Sequence, residues 1–120
     1  MALRITQLEV DGVDVLVLSG RIVLGEETSE LREKVKQLLS EGKKNIVMNL
    51  SDVTVIDSSG LGALVAAYAS AKSAGAALRL SNLGARSNEL LQVTKLYTIF
   101  EVSNTQEDAV SAMAKRASAD

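Results

Sequence analysis

A carboxylate and two hydroxyls stand side by side at Asp57-Ser58-Ser59, and Gly60-Leu61-Gly62 follows them. Residue types in that order support three kinds of chemistry. A carboxylate or hydroxyl oxygen can cap a helix by accepting N–H groups that the first turn leaves without partners. A glycine pair at a strand-to-helix junction can cradle a phosphate. A serine hydroxyl on an accessible loop can take a phosphoryl group from a protein kinase, which adds about −1.5 to −2 charge. The phosphate cradle is the weakest of the three. Gly60-x-Gly62 lacks the third glycine of a dinucleotide fingerprint, since position 65 is Val65, and no Gly-Lys-Ser/Thr triplet follows. Capping and phosphoryl acceptance remain open and are compatible. Ser58 is the candidate acceptor.

What the chain lacks narrows the chemistry further. There is no histidine and no cysteine among the 120 residues. Ser–His and Cys–His nucleophile pairs, His or Cys metal ligation, thiol redox chemistry and disulfides are therefore excluded. A metal would need an all-oxygen site, and no calcium-loop spacing of carboxylates is present. The expectation is binding or regulation without metal or cofactor, and not an enzyme. Net charge is −2 with no basic stripe, and only three aromatic residues are available for stacking, so nucleic acid is not an expected partner. No apolar run is long enough to span a membrane. Met1-Ala2-Leu3-Arg4 has no apolar stretch of leader type behind it, which makes cytoplasm the default compartment.

The elements that must hold the tetrad can be read in order. Asp11-Gly12 between two β-rich runs predicts a hairpin of strands near 3–10 and 13–19. Val15 to Leu18 is apolar on both faces, so the second strand is expected in the sheet interior. Leu31, Val35, Leu38 and Leu39 mark a helix over 26–40, with Gly42 just past its end. A buried strand is expected at 46–50, then a turn at Ser51-Asp52, then the apolar run Val53, Val55, Ile56. The apolar spacing changes after the tetrad from two residues to three and four, which predicts a small-residue helix from about Ser59 to Ala74. Ala77 to Leu80 is a further strand. A helix follows near 86–94, with Leu90, Leu91 and Val93 as its apolar side. Ile99, Phe100 and Val102 predict a last strand, and Thr105-x-x-Asp108 starts a terminal helix. Strands alternating with helices after a hairpin predict one α/β domain over 1–120, its sheet mixed but mostly parallel, with about four helices.

Along nearly its whole length the sequence resembles the STAS domain, and within it the anti-sigma factor antagonists of bacteria. The resemblance rests on Leu18-Ser19-Gly20-Arg21-Ile22, on the run from Ile46 to Val53, and above all on Ile56-Asp57-Ser58-Ser59-Gly60-Leu61-Gly62. It implies a partner-switching regulator. In its unphosphorylated form such a protein binds an anti-sigma factor that is itself a serine kinase of the GHKL type, and so frees a sigma factor for transcription. The kinase phosphorylates the serine after the motif's aspartate, here Ser58, and a PP2C-type phosphatase reverses it. By the same resemblance Asp57 shapes the site, and Ser59, Gly60, Leu61 and Gly62 form the contact loop and helix start. Ser59, the second-choice acceptor, has the cap as its more ordinary role. One departure stands out: Gly20-Arg21-Ile22 is followed by Val23 and Leu24, so the acidic group that many antagonists carry on this partner-facing loop is replaced by apolar residues. The alternative reading is a STAS module of a signalling scaffold or a lipid-transport complex, in which Ser58 does not switch.

Overall fold

Asp11 and Gly12 both take positive φ, 52° and 77°, the turn geometry whose twist matches a two-stranded hairpin. They join strand β1 (Leu3–Val10) to β2 (Val13–Ile22), which pair antiparallel. The computed structural model describes residues 3–119; Met1, Ala2 and Asp120, and with the first two the reading of the leader segment, lie outside. From β2 onward the chain alternates: helix α1 (Glu26–Ser40), β3 (Asn45–Ile56), α2 (Ser58–Ser73), β4 (Ala77–Ser81), α3 (Ala85–Thr94), a 3₁₀ turn (Leu96–Thr98), β5 (Glu101–Ser103) and α4 (Gln106–Ala119). The sheet order is β1-β2-β3-β4-β5, with β2 to β5 parallel. Right-handed crossovers that always step the same way along a sheet put their helices on one face. Accordingly Leu31, Val35, Leu38, Ala63, Leu64, Ala67, Ala71 and Leu91 of the three crossover helices share a core with Leu16, Leu18, Ile46, Met48 and Leu50. The opposite face carries Val13, Val15 and Val47 under Ala109, Val110 and Met113 of α4. This is the expected mixed α/β sheet with an N-terminal hairpin and four helices, and β2 is interior, buried on both faces.

Five local expectations need correction. β2 does not stop at Ser19, and Ser51-Asp52 is not a turn; both strands run on to Ile22 and Ile56. The register explains it. Val17 pairs with Asn49, Ser19 with Asp52, Gly20 with Val53, Arg21 with Val55 and Ile22 with Ile56. β3 thus carries two extra residues opposite β2, which are two bulges. The Asn49 Oδ1 accepts from the Ser51 N–H at 2.9 Å and the Thr54 hydroxyl donates to the Gly20 carbonyl at 3.1 Å, so polar side chains satisfy backbone where the ladder slips. Turn-type residues here serve bulges. α2 begins one residue earlier than expected, at Ser58. The last strand is Glu101–Ser103, because Phe100 turns inward to meet Tyr68 edge-on at 5.5 Å between centroids instead of extending the sheet. In α3, Leu91 is buried and Leu90 half-buried, but Val93 is 74% exposed. Two positions past Leu91 it lies on the far side of a ten-residue helix.

Two helices end as the sequence suggests. The Lys43 N–H donates to the Leu38 carbonyl and the Gly42 N–H to the Leu39 carbonyl, both at 3.1 Å. Ala76 and Gly75 repeat that pair of bonds onto Ala71 and Lys72. The Asp108 N–H donates to the Thr105 hydroxyl at 3.1 Å, the cap anticipated for α4.

Candidate functional site

The two bulges of β3 bring the ends of β2 and β3 level, so the β2–α1 loop and the start of α2 meet at one end of the sheet. Asp57 is the residue that joins them. Its backbone is extended (φ −95°, ψ −177°), and its N–H donates to the Ile22 carbonyl at the end of β2 at 3.3 Å. Its Oδ1 accepts the Gly60 N–H at 2.7 Å, which caps α2. Its Oδ2 accepts the Leu24 N–H at 3.0 Å, which fixes the neighbouring loop. One carboxylate therefore satisfies donors from two segments 33 residues apart. These two bonds, that from Gly60 first and that from Leu24 second, hold the Asp57 carboxyl below the ordinary value of 3.8.

Gly60 is required by close approach. A Cβ at this position would lie 1.9 Å from the Ile22 carbonyl oxygen and 2.8 Å from its carbon. α2 thus starts with its backbone against the last residue of β2. Gly62, two residues on, has nothing within 4 Å of such a Cβ. A glycine inside a first helical turn weakens helix propensity, and that mismatch is the mark this contact leaves in the sequence.

With Asp57 as the N-cap, Ser58 occupies the first helical position and Ser59 the second, and neither acts as the cap. The ordinary role assigned to Ser59 by resemblance thus belongs to Asp57. Ser58 is exposed, Ser59 half-buried and Gly60 buried. Leu61 is half-buried and packs on the main core, while Gly62 is exposed. The two loop residues divide likewise: Val23 is half-buried and Leu24 is 74% exposed. All eight residues singled out in the sequence therefore lie around one end of β2 and β3. Ser58, Leu24 and Gly62 form its solvent-facing part, and Asp57, Gly60 and Leu61 build the support. Its groups are suited to recognition and to a change of charge: an accessible hydroxyl at a helix N-terminus, beside a carboxylate already committed to two backbone donors.

A model of the STAS domain family matches residues 4–109 of this sequence. The chain belongs to the STAS domain family. Among relatives of this STAS domain, the anti-sigma-B factor antagonist of Bacillus subtilis is 36% identical over 80 residues, 67% of this chain and 72% of that protein. The anti-sigma-B factor antagonist of Listeria monocytogenes is 30% identical over 110 residues, 88% of this chain and 91% of that one. Among solved structures, a crystal structure of a protein from Thermotoga maritima, proposed to be an anti-sigma factor antagonist, superposes with a TM-score of 0.84 at 26% identity and covers 91% of this chain and 93% of that one. Among the described residues of this STAS domain, no helix is long and apolar enough to cross a membrane.

The double role of Asp57 sets a pH dependence. A carboxyl whose folded pKa is depressed stabilises the fold above its unfolded pKa, and that contribution is lost as pH falls through the folded value. Asp57→Asn keeps an oxygen to accept from Gly60 but turns an amide NH₂, a donor, toward the Leu24 N–H, which is also a donor. Chemical denaturation is expected to show this variant less stable at pH 7, with the gap to the unmodified chain closing as pH is lowered below about 3.8. Ser59→Ala, by contrast, removes no cap and is expected to stay within about 0.5 kcal/mol of the unmodified chain at either pH.

Proposed function

We propose that this STAS domain is an anti-sigma factor antagonist whose binding is switched at Ser58. In its unphosphorylated form it binds an anti-sigma factor that is a serine kinase of the GHKL type, and so releases a sigma factor for transcription. The kinase transfers a phosphoryl group to the Ser58 hydroxyl, the complex dissociates, and a PP2C-type phosphatase restores the binding form. The chain acts as substrate and ligand, without catalysis or a cofactor of its own. Asp57, Ser59, Gly60, Leu61 and Gly62 shape the contact around Ser58, and Val23 and Leu24 extend it.

The observation that carries this reading is the division of labour at the helix start. Asp57 takes the capping role, which leaves Ser58 exposed at the first helical position with its hydroxyl not needed by the fold. The relatives named as anti-sigma-B factor antagonists support the same reading. A phosphate at this position sits near the positive end of the α2 dipole, which favours it by about 0.3–1 kcal/mol, so the modification changes the surface and spares the core.

The test uses the anti-sigma factor that co-purifies with the Ser58→Ala chain, re-expressed, purified and supplied with ATP. Intact-mass spectrometry is expected to show one added phosphate on the unmodified chain and none on Ser58→Ala. Phosphate retained in Ser58→Ala moves the acceptor to Ser59 or elsewhere. No phosphate on either chain favours a non-switching STAS interaction module.

A further inference from the structure

β4 pairs with β3 only from Asn45 to Asn49, yet β3 runs on to Ile56. At its own end β4 gives way to Asn82, which takes a positive φ of 58°, and the chain turns into α3. Asparagine tolerates that left-handed geometry better than most residues. Among the described residues, the far end of β3 thus has no strand on the side away from β2. The first turn of α3 stands across the gap. Between them lies a cavity of about 260 Å³, lined by residues 53–56 of β3 and by Arg86, Ser87 and Leu90 of α3. One end of it is polar. α3 has ten residues, its N-cap is Gly84, and no side chain caps it. Its first internal bond runs from the Asn88 N–H to the Gly84 carbonyl, so the Ala85, Arg86 and Ser87 N–H groups have no acceptor within the helix. With the dipole they place about half a positive charge there. Arg86 adds a full one, and among the described residues it makes no ion pair. Ser87 is a separate sign of a missing partner. It is 8% exposed and lines the cavity, and no hydrogen bond among the described residues engages its hydroxyl. Buried hydroxyls in native proteins are almost always paired, because leaving one unpaired is costly. The Thr54 hydroxyl, by contrast, is spent on the Gly20 carbonyl. The remaining wall is apolar: Val55 is 38% exposed, and Leu90, half-buried, sits one turn beyond Arg86 on the same helix face.

We propose that this cavity between β3 and the start of α3 binds a small organic anion. Its carboxylate or phosphate head accepts from the Ala85, Arg86 and Ser87 N–H groups, and the Arg86 guanidinium and the Ser87 hydroxyl complete the cradle. Its short apolar body lies against Val55 and Leu90. A helix start supplies aligned donors to an anion, and bonds to a charged acceptor are the strong kind. The volume falls just under the range of about 300–1,000 Å³ usual for ligand pockets, which suits a charged head with a body of a few carbons. The site is separate from the switch. Asp57 already caps α2 beside Ser58, whereas the donors at α3 are open.

Amide chemical shifts of the isotope-labelled full chain, titrated with butyl phosphate, butyrate and inorganic phosphate in turn, test this without any partner protein. Saturable shifts centred on Ala85, Arg86 and Ser87 are expected with at least one of the two organic anions, at a dissociation constant on the order of 1 mM or tighter. The tighter of the two identifies the head. Inorganic phosphate is expected to bind at least about fivefold more weakly than that organic anion, since it lacks the apolar body. Arg86→Gln, at an exposed position, is expected to weaken binding about tenfold. Gly84→Asp is the sharpest variant. A Cβ there meets nothing within 4 Å, and the backbone already has cap geometry (φ −76°, ψ 174°), so the new carboxylate takes the open N–H groups itself. It is expected to abolish the shifts and to raise the melting temperature by about 4–8 °C. No saturable shift at the three amides with either organic anion overturns the inference. So does undiminished binding by Gly84→Asp. Inorganic phosphate binding as tightly as the organic anions also overturns it, by leaving an adventitious ion only. The reading of Ser58 as a switch stands or falls separately from all three.

Discussion

Ser58→Asp is expected to weaken binding to the anti-sigma factor by about 100-fold while leaving the thermal unfolding curve nearly unchanged. The two halves of that result have separate causes. Within the free chain the new carboxylate lies in solvent at the first helical position, where the macrodipole favours an anion by about 0.3–1 kcal/mol. Asp57 opposes it by about 1 kcal/mol at ~4 Å in water. These terms roughly cancel, and nothing in the core moves. In a complex that covers Ser58, water no longer screens either charge, and an acid without a partner is costly to desolvate. A loss on the order of 3 kcal/mol corresponds to a little over 100-fold in affinity. A phosphate, with nearly twice the charge and greater bulk, belongs at the upper end of a ~100- to 1000-fold range. Calorimetric titration paired with thermal denaturation of the same samples checks both halves. Weak binding together with a collapsed melting temperature would mean that Ser58 is structural.

Gly60→Ala carries the largest expected cost to stability, roughly 3 kcal/mol, because a methyl group has no place 1.9 Å from the Ile22 carbonyl oxygen. Backbone, not a flexible side-chain end, is what it meets. α2 must lift from the end of β2, and the movement pulls on the Asp57 bonds to Ile22, Gly60 and Leu24. For a chain of this size such a loss lowers the melting temperature by on the order of 10 °C. Gly62→Ala is the matched control. It lies in the same helix with nothing within 4 Å of the added methyl, and replacing glycine by alanine there favours the helix by about 0.5–1 kcal/mol. Opposite signs at two glycines two residues apart in the motif are the expected pattern in a urea titration. Equal effects would remove the close approach as the reason for Gly60.

The order of elements was legible because periodicity, glycine punctuation and the Asp11-Gly12 turn all point the same way. The place of the tetrad at a strand-to-helix junction was legible for the same reason, since it falls where the period changes. What failed shares a cause. Ser51-Asp52 has turn chemistry, and Thr54 interrupts an apolar run, yet both belong to bulges whose backbone is satisfied by Asn49 and by the Gly20 carbonyl. A bulge depends on the register of the partner strand, which local sequence does not display. Ile99 and Phe100 read as strand, but Tyr68, 32 residues earlier, draws Phe100 inward. Residue type leaves the cap open among three oxygen-bearing residues in a row, and the resemblance points to Ser59. The choice of Asp57 follows from geometry across the sheet, because only a carboxylate offers one oxygen to Gly60 and another to Leu24. The nearness of Leu24 to Ser58 was not legible, since the bond that ties it to Asp57 spans 33 residues of sequence.

One phosphate on Ser58 is expected to switch the chain reversibly between bound and free states. The most direct measurement is a binding titration of the singly phosphorylated chain against its anti-sigma factor, repeated on the same sample after treatment with a PP2C-type phosphatase. Affinity is expected to be at least ~100-fold weaker before treatment and fully restored after it. Equal affinities before and after, with mass spectrometry showing the phosphate on Ser58 and then gone, would contradict it.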